Sequence, residues 1–163
     1  MNLLALDLGT KTGWATRLDG NCEAGTWLLA TPRSVRDARA SRMDRRLDPR
    51  ICVFWDQLHK THFNHRLDWV FFEDVQFAVT TMQCQLWSSL RATVWLFAYH
   101  HGIRVECCPV GTLKKFATGH GGATKENMAA ALSKKLAGIG KLDDNAVDAL
   151  HLLNWGEQTV ARA

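Results

Sequence analysis

Four carboxylates, Asp7, Glu73, Asp144 and Asp148, are the side chains in this sequence best suited to concerted chemistry. Asp7 ends an apolar run over residues 2–8 (NLLALDL), the pattern of a strand buried on both faces. Glu73 lies near the end of a second such run, WVFFEDV, over residues 69–75. A carboxylate at the C-terminal edge of a buried parallel sheet is costly unless it is paired or bound to a cation. Asp144 and Asp148 open the last helical segment four residues apart, which places them about 40° apart on one helix face. Asp143 is turned well away from Asp148. Acids delivered from three distant segments to one edge repel, and hard divalent cations with oxygen ligands relieve that repulsion. Magnesium or manganese is therefore expected. Two such ions, about 3.5–4 Å apart, activate a water and stabilise the leaving oxygen in phosphodiester hydrolysis. No side-chain nucleophile stands in a recognisable motif. The plainer reading makes Asp144 an N-cap and Asp148 a surface residue.

The elements that must position these acids follow from periodicity and turn residues. After the first strand, Gly9 to Gly13 read as a turn, and GWATRL and CEAGTWLL as two further strands of a meander joined at Asp19, Gly20 and Asn21. Pro32 opens an arginine-rich, at least partly helical segment that Pro49 interrupts, and Asp48 followed by Pro49 suits an N-cap and first helical position. Ile51, Phe54, Trp55 and Leu58 then give a core-facing stripe. The fourth strand is followed by a long helix from about Thr80 to His101, with Met82, Leu86, Leu90, Val94 and Phe97 on one side. Gly102 breaks it, IRVECCPV supplies a fifth strand, a glycine-containing loop leads into a helix to about Leu136, and Asp144 opens the last helix. The order β-β-β-α-β-α-β-α-α predicts a single α/β domain over residues 1–163.

Charge and composition narrow the partners. The chain nets +4, and the stretch from Arg33 to Arg50 holds that entire excess, with seven arginines against three acids. Arginine forks suit phosphate, so Arg39, Arg42, Arg45 and Arg46 are candidate contacts to a polyanion, the alternative being a solvated helix face. Five cysteines without a C-x-x-C pair suggest neither a disulfide framework nor a zinc site, and they are expected to be reduced and buried. His59, His62 and His65 read as a polar helix end rather than a metal site. No apolar run is long enough to span a membrane, and Met1 leads into LLALDLG without a secretory signal, so a cytoplasmic location is expected.

Four segments taken together resemble the RuvC family of Holliday junction resolvases, especially its bacteriophage branch. They are LALDLGTKTGWA around Asp7, VFFEDV around Glu73, PVGTLKKFATGHGGATKENM from Pro109 to Met128, and DDNAVDALHLL from Asp143. The resemblance implies an RNase H-like fold with a five-stranded mixed sheet of order 3-2-1-4-5 flanked by helices. It also implies a homodimer in a bacterial or phage-infected cell that nicks a four-way DNA junction symmetrically with about two Mg2+ or Mn2+ ions per site. Carried over, the metal ligands are Asp7, Glu73, Asp144 and Asp148, with Asp143 a possible substitute for Asp144. Lys125 would stabilise the transition-state phosphate, and Lys115, with Lys114, would position DNA. The final acids stand one residue further apart than in bacterial members. Gly119, Gly121 and Gly122 around His120 are either a phosphate-approaching loop or a plain connector, and Trp14, Trp27 or Trp87 either stacks on an unpaired base or packs in the core.

Three other readings compete. One is a different RNase H-like nuclease that cuts RNA:DNA hybrids, flaps or forks. Another is a nucleotide-dependent protein of the actin and sugar-kinase type, suggested by DLGTKTG but needing a second domain, so that no nucleotide cofactor is expected. The third is a non-catalytic junction binder.

Overall fold

The apolar run after Met1 becomes β1 (Leu3–Asp7), which pairs antiparallel with β2 (Lys11–Leu18), and β2 pairs antiparallel with β3 (Asn21–Leu28). The β2–β3 turn is two residues, Asp19 and Gly20, both left-handed at φ 50° and 86°, which matches the twist of a tight hairpin. β4 (Trp69–Asp74) runs parallel to β1, and β5 (Arg104–Pro109) runs parallel to β4. The resulting mixed sheet has the order β3-β2-β1-β4-β5, as the family resemblance implies. This computed structural model describes residues 1–40, 48–75, 80–133 and 142–162.

Helices α1 (Pro32–Ala40), α2 (Pro49–His65), α3 (Thr81–His101), α4 (Val110–Thr118), α5 (Lys125–Ser133) and α6 (Asp144–Val160) cover the sheet. The Asp48 carboxylate caps α2 by accepting from the Arg50 N–H, with Pro49 at the first helical position, and the Thr80 hydroxyl caps α3 by accepting from the Gln83 N–H. Strand alternation sorts the core into two halves. Leu4, Leu6, Val70 and Phe72 pack with Phe54, Leu58, Leu90, Val94 and Phe97 of α2 and α3. Leu3, Ala5 and Phe71 pack with Leu113 of α4, Met128 and Leu132 of α5, and Leu150 and Leu153 of α6. Both layers bury large side chains, each costing about 2–5 kcal/mol if cut back to alanine.

Several expectations need correction. The basic segment after β5 is not one loop: Val110–Thr118 form α4, so Lys114 and Lys115 sit on a helix that Gly119 ends in the left-handed conformation at φ 84°. An early Gly111 disguised this helix. Lys11 and Thr12 belong to β2 rather than to the preceding turn. Met82 is 53% exposed and not on the core stripe of α3. Cys108 is buried and Cys22 and Cys107 are half-buried, but Cys52 and Cys84 are exposed, all five being free thiols. The expected helix end near Leu136 lies outside the described residues, as do Arg42, Arg45 and Arg46; Arg39 lies in α1. No described helix is long and apolar enough to cross a membrane.

Candidate active site

Alternation along β1 and β4 aims the first two acids at the same layer. Leu3 and Ala5 face α6, so Asp7 does too; Phe71 faces α6, so Glu73 does too. The parallel register pairs Ala5 with Phe71 and Leu6 with Phe72, and one further step sets Asp7 beside Glu73. Asp74 falls on the opposite face, where its carboxylate accepts from the Arg91 guanidinium at 2.7 Å.

Helix α6 brings the third acid because two glycines let it lie close on the sheet. A Cβ on Gly13 would stand 2.0 Å from the Asn145 carbonyl oxygen, and a Cβ on Gly156 would stand 2.6 Å from the Phe71 ring. The ion pair from Arg17 of β2 to Glu157, at 2.6 Å, ties down the far end of the helix. Asp148 is then half-buried in the second turn of α6.

Electrostatics couple these acids. Burial, then the charges of Glu73 and Asp148, push the Asp7 carboxyl up to about 8, and Lys125 partly offsets them. Burial and Asp148 push Glu73 up to about 7, with Lys114 pulling it down. Burial also raises Asp148, against Lys125 and Lys114. Cys108, the β5 partner of Glu73, is raised to about 12, chiefly by burial, and is a neutral wall rather than a nucleophile.

The remaining sequence candidates divide. Asp143, not Asp144, is the N-cap of α6: its carboxylate accepts from the Ala146 N–H at 3.0 Å and from the Thr26 hydroxyl at 2.6 Å. Those bonds hold its carboxyl below the usual range. Asp144 is exposed at the site rim and pairs with the Lys125 ammonium at 3.5 Å. Lys114 is half-buried and its charge reaches Glu73 and Asp148, whereas Lys115 is exposed on α4. His59 and His62 pack with Phe97 and His101 in an aromatic cluster remote from these acids in the chain's architecture. Trp14 and Trp27 stack on each other at 6.0 Å, and both pack against the α2–α3 half of the core.

A cleft of about 580 Å³ opens beside Asp7, lined by Thr10 and Lys11, by Arg50 of α2, by Met82 and Trp87 of α3, and by Lys125. Arg50 is only 14% exposed; it donates to Asp48 at 2.6 Å and to the Thr10 hydroxyl at 3.1 Å. The arginine was visible in the sequence as one of seven, but its pairing across forty residues was not.

Among the described residues, no three histidine, cysteine, aspartate or glutamate side chains stand in an arrangement ready to hold a metal ion. The donor chemistry nonetheless fits a hard divalent cation, since Asp7, Glu73 and Asp148 offer carboxylate oxygens whose proton affinities are raised by burial and by one another's charge.

No family model matches the sequence, and no curated protein matches it significantly. Solved structures do. The Thermus thermophilus RuvC structure superposes with a TM-score of 0.71 at 19% identity, covering 99% of this chain and 96% of that one. T. thermophilus RuvC in complex with a Holliday junction substrate gives 0.70 at 18% identity, over 94% and 90%. The yeast mitochondrial Holliday junction resolvase Ydc2 gives 0.56 at 13% identity, over 98% and 80%. Architecture and sheet order thus define an RNase H-like α/β fold. More particularly, the chain has the RuvC fold over nearly its whole length.

Proposed function

We propose that this protein is a divalent-metal-dependent endonuclease that resolves four-way DNA junctions. The observation that carries the reading is the convergence of Asp7, Glu73 and Asp148, from β1, β4 and α6, into one electrostatically coupled group at the sheet edge. The likeness to RuvC, a protein solved with a Holliday junction substrate, supports the choice of substrate.

Asp7, Glu73 and Asp148 would hold the cation, with Asp144 at the rim. Bound magnesium or manganese would supply a Lewis acid and an activated water for phosphodiester hydrolysis. The protein's own groups do the rest. The carboxyls of Asp7 and Glu73 would give up their protons on becoming ligands, and Phe71, Cys108 and Leu113 belong to the buried core of the same layer. Lys125, reaching in from the first turn of α5, places a positive charge where the scissile phosphate gains negative charge, and Lys114 adds a second. Lys115 and the arginines, Arg39, Arg42, Arg45 and Arg46 among them, contact the DNA backbone and fix its register. A homodimer would supply the twofold pair of sites that two symmetric nicks require.

The test is cleavage of a labelled four-way junction, a linear duplex and an RNA:DNA hybrid of the same sequence, each with and without magnesium. Paired, symmetric nicks in the junction alone, dependent on magnesium and lost in Asp7→Asn with junction binding kept, are expected. Equal cutting of all three would leave a nuclease but refute the resolvase.

A further inference from the structure

Glu73 stands where the main-chain support of its strand thins. The pairing of β4 with β1 ends at Leu6 and Phe72, one residue short of it. On the other side the register continues, Glu73 with Cys108 and Asp74 with Pro109, and a proline brings no N–H to the ladder. Packing does not fill the place either, because a small pocket of about 90 Å³ lies against Glu73, lined also by Leu8, Phe72, Asp74 and Arg91.

One residue of α3 touches both of Glu73's neighbours in the chain. The Arg91 guanidinium donates to the Asp74 carboxylate at 2.7 Å, and its central carbon lies 5.8 Å from the centre of the Phe72 ring, within reach of a cation–π contact. Phe72 and Asp74 project to the α2–α3 side of the sheet, while Glu73 between them projects to the α6 side. Arg91 thus grips the strand from behind the carboxylate. Trp95, one turn further along α3, meets the Phe72 ring edge-on at 6.1 Å and gives that residue a second hold. The Arg91–Asp74 pair acts beyond it, at the last residue of β4, and with the Asp74 side chain only 21% exposed it is partly shielded from water.

Building on the metal-site reading above, we propose that Arg91 is a positioning residue for the reaction: by holding Phe72 and Asp74 it fixes the place of the Glu73 carboxylate beside Asp7 and Asp148, without itself touching metal or DNA. It also pairs off the Asp74 charge, which would otherwise add to the repulsion among the acids. Removing a partner that orients a metal ligand typically changes metal affinity or activity by about 10–100-fold.

Two measurements on the full chain test it. In the metal-free protein, residue-resolved amide hydrogen exchange in Arg91→Met is expected to quicken about ten-fold at Glu73 and Asp74, with Val70 and Phe71 within about two-fold of wild type. In calorimetric titration with Mn2+, Arg91→Met and Asp74→Asn are each expected to bind about ten-fold more weakly and Arg91→Lys within about three-fold of wild type, while junction affinity without divalent metal stays within about three-fold throughout. Excess Mn2+ restores junction cleavage by Arg91→Met, because the acids themselves are intact. Exchange that rises equally along all of β4, Mn2+ affinity unchanged in both Arg91→Met and Asp74→Asn, or a fall in junction affinity as large as the fall in cleavage would overturn the role, the last by making Arg91 a DNA contact. Asp74→Asn removes the same ion pair with almost no change of shape, so the test decides even if Arg91→Met fails to fold. A wild-type protein that takes up no Mn2+ overturns the metal site and the positioning role with it; a wild type that binds Mn2+ alongside variants that bind it equally well keeps the metal site and loses the role of Arg91.

Discussion

Asp7 holds its proton to about pH 8 in the folded chain, against an ordinary value of 3.8, because burial and two neighbouring acids disfavour its charge. The folded protein thus binds a proton that the unfolded chain has released, and the stability this confers is full below about pH 4 and is lost as pH rises through 8. In chelator, Asp7→Asn should therefore raise Tm relative to wild type at pH 8, by a ΔΔG on the order of 1–4 kcal/mol, and change little at pH 4. Thermal melts across that range check it; parallel wild-type and variant curves would show that Asp7 carries no such strain. The two acids at the start of α6 are distinguished by their bonds. Asp143 is spent on the cap and on Thr26, and asparagine caps equally well, so Asp143→Asn should keep cleavage within a few-fold. Asp144→Asn should lower it by at least ten-fold, and the opposite ranking in single-turnover assays would exchange their roles. Lys125→Ala should slow cleavage by about 10²–10³-fold while leaving junction affinity within a few-fold, a split readable from kcat and Kd.

Among the elements, α6 does most to assemble the site, and its closeness to the sheet depends on Gly13. A methyl group there meets the backbone of Asn145 rather than a side chain that can swing aside. Gly13→Ala should cost about 1–3 kcal/mol in urea unfolding and reduce cleavage further than that loss of stability explains, because Asp148 moves with the helix. Unchanged stability and activity would mean that α6 tolerates the shift. Much of this arrangement was legible beforehand: the doubly apolar runs at Leu3–Asp7 and Trp69–Asp74 announced buried parallel strands ending in acids, and Asp48–Pro49 announced the start of α2. Helix α4 was hidden because Gly111 and a pair of lysines resemble a loop locally, whereas Leu113 is fixed by tertiary packing. Which acid caps α6 was equally hidden, since Asp143 and Asp144 are both good caps and only the Thr26 hydroxyl, from a strand more than a hundred residues away, decides between them.

At the scale of the whole molecule, the basic excess is concentrated in one stretch of sequence, between Arg33 and Arg50, separate from the segments that carry the acids. If that segment tracks phosphates, junction affinity falls steeply with salt, and replacing Arg39, Arg42, Arg45 and Arg46 by glutamine should flatten the log–log salt slope by about 3–4. A slope that the replacement leaves unchanged would send those arginines to another role. The fold shared with RuvC explains how strands far apart in sequence deliver acids to one edge, but the account stands on what those acids bind. Its most direct test is calorimetric titration of the metal-free protein with Mn2+ at pH 7 in buffers of different ionisation enthalpy. Wild type should bind the cation and release protons, chiefly from Asp7 and Glu73, and Asp7→Asn should lose most of that affinity and reduce the proton release. No uptake by wild type, or uptake indifferent to Asp7→Asn, would contradict the proposal that these carboxylates form a metal site.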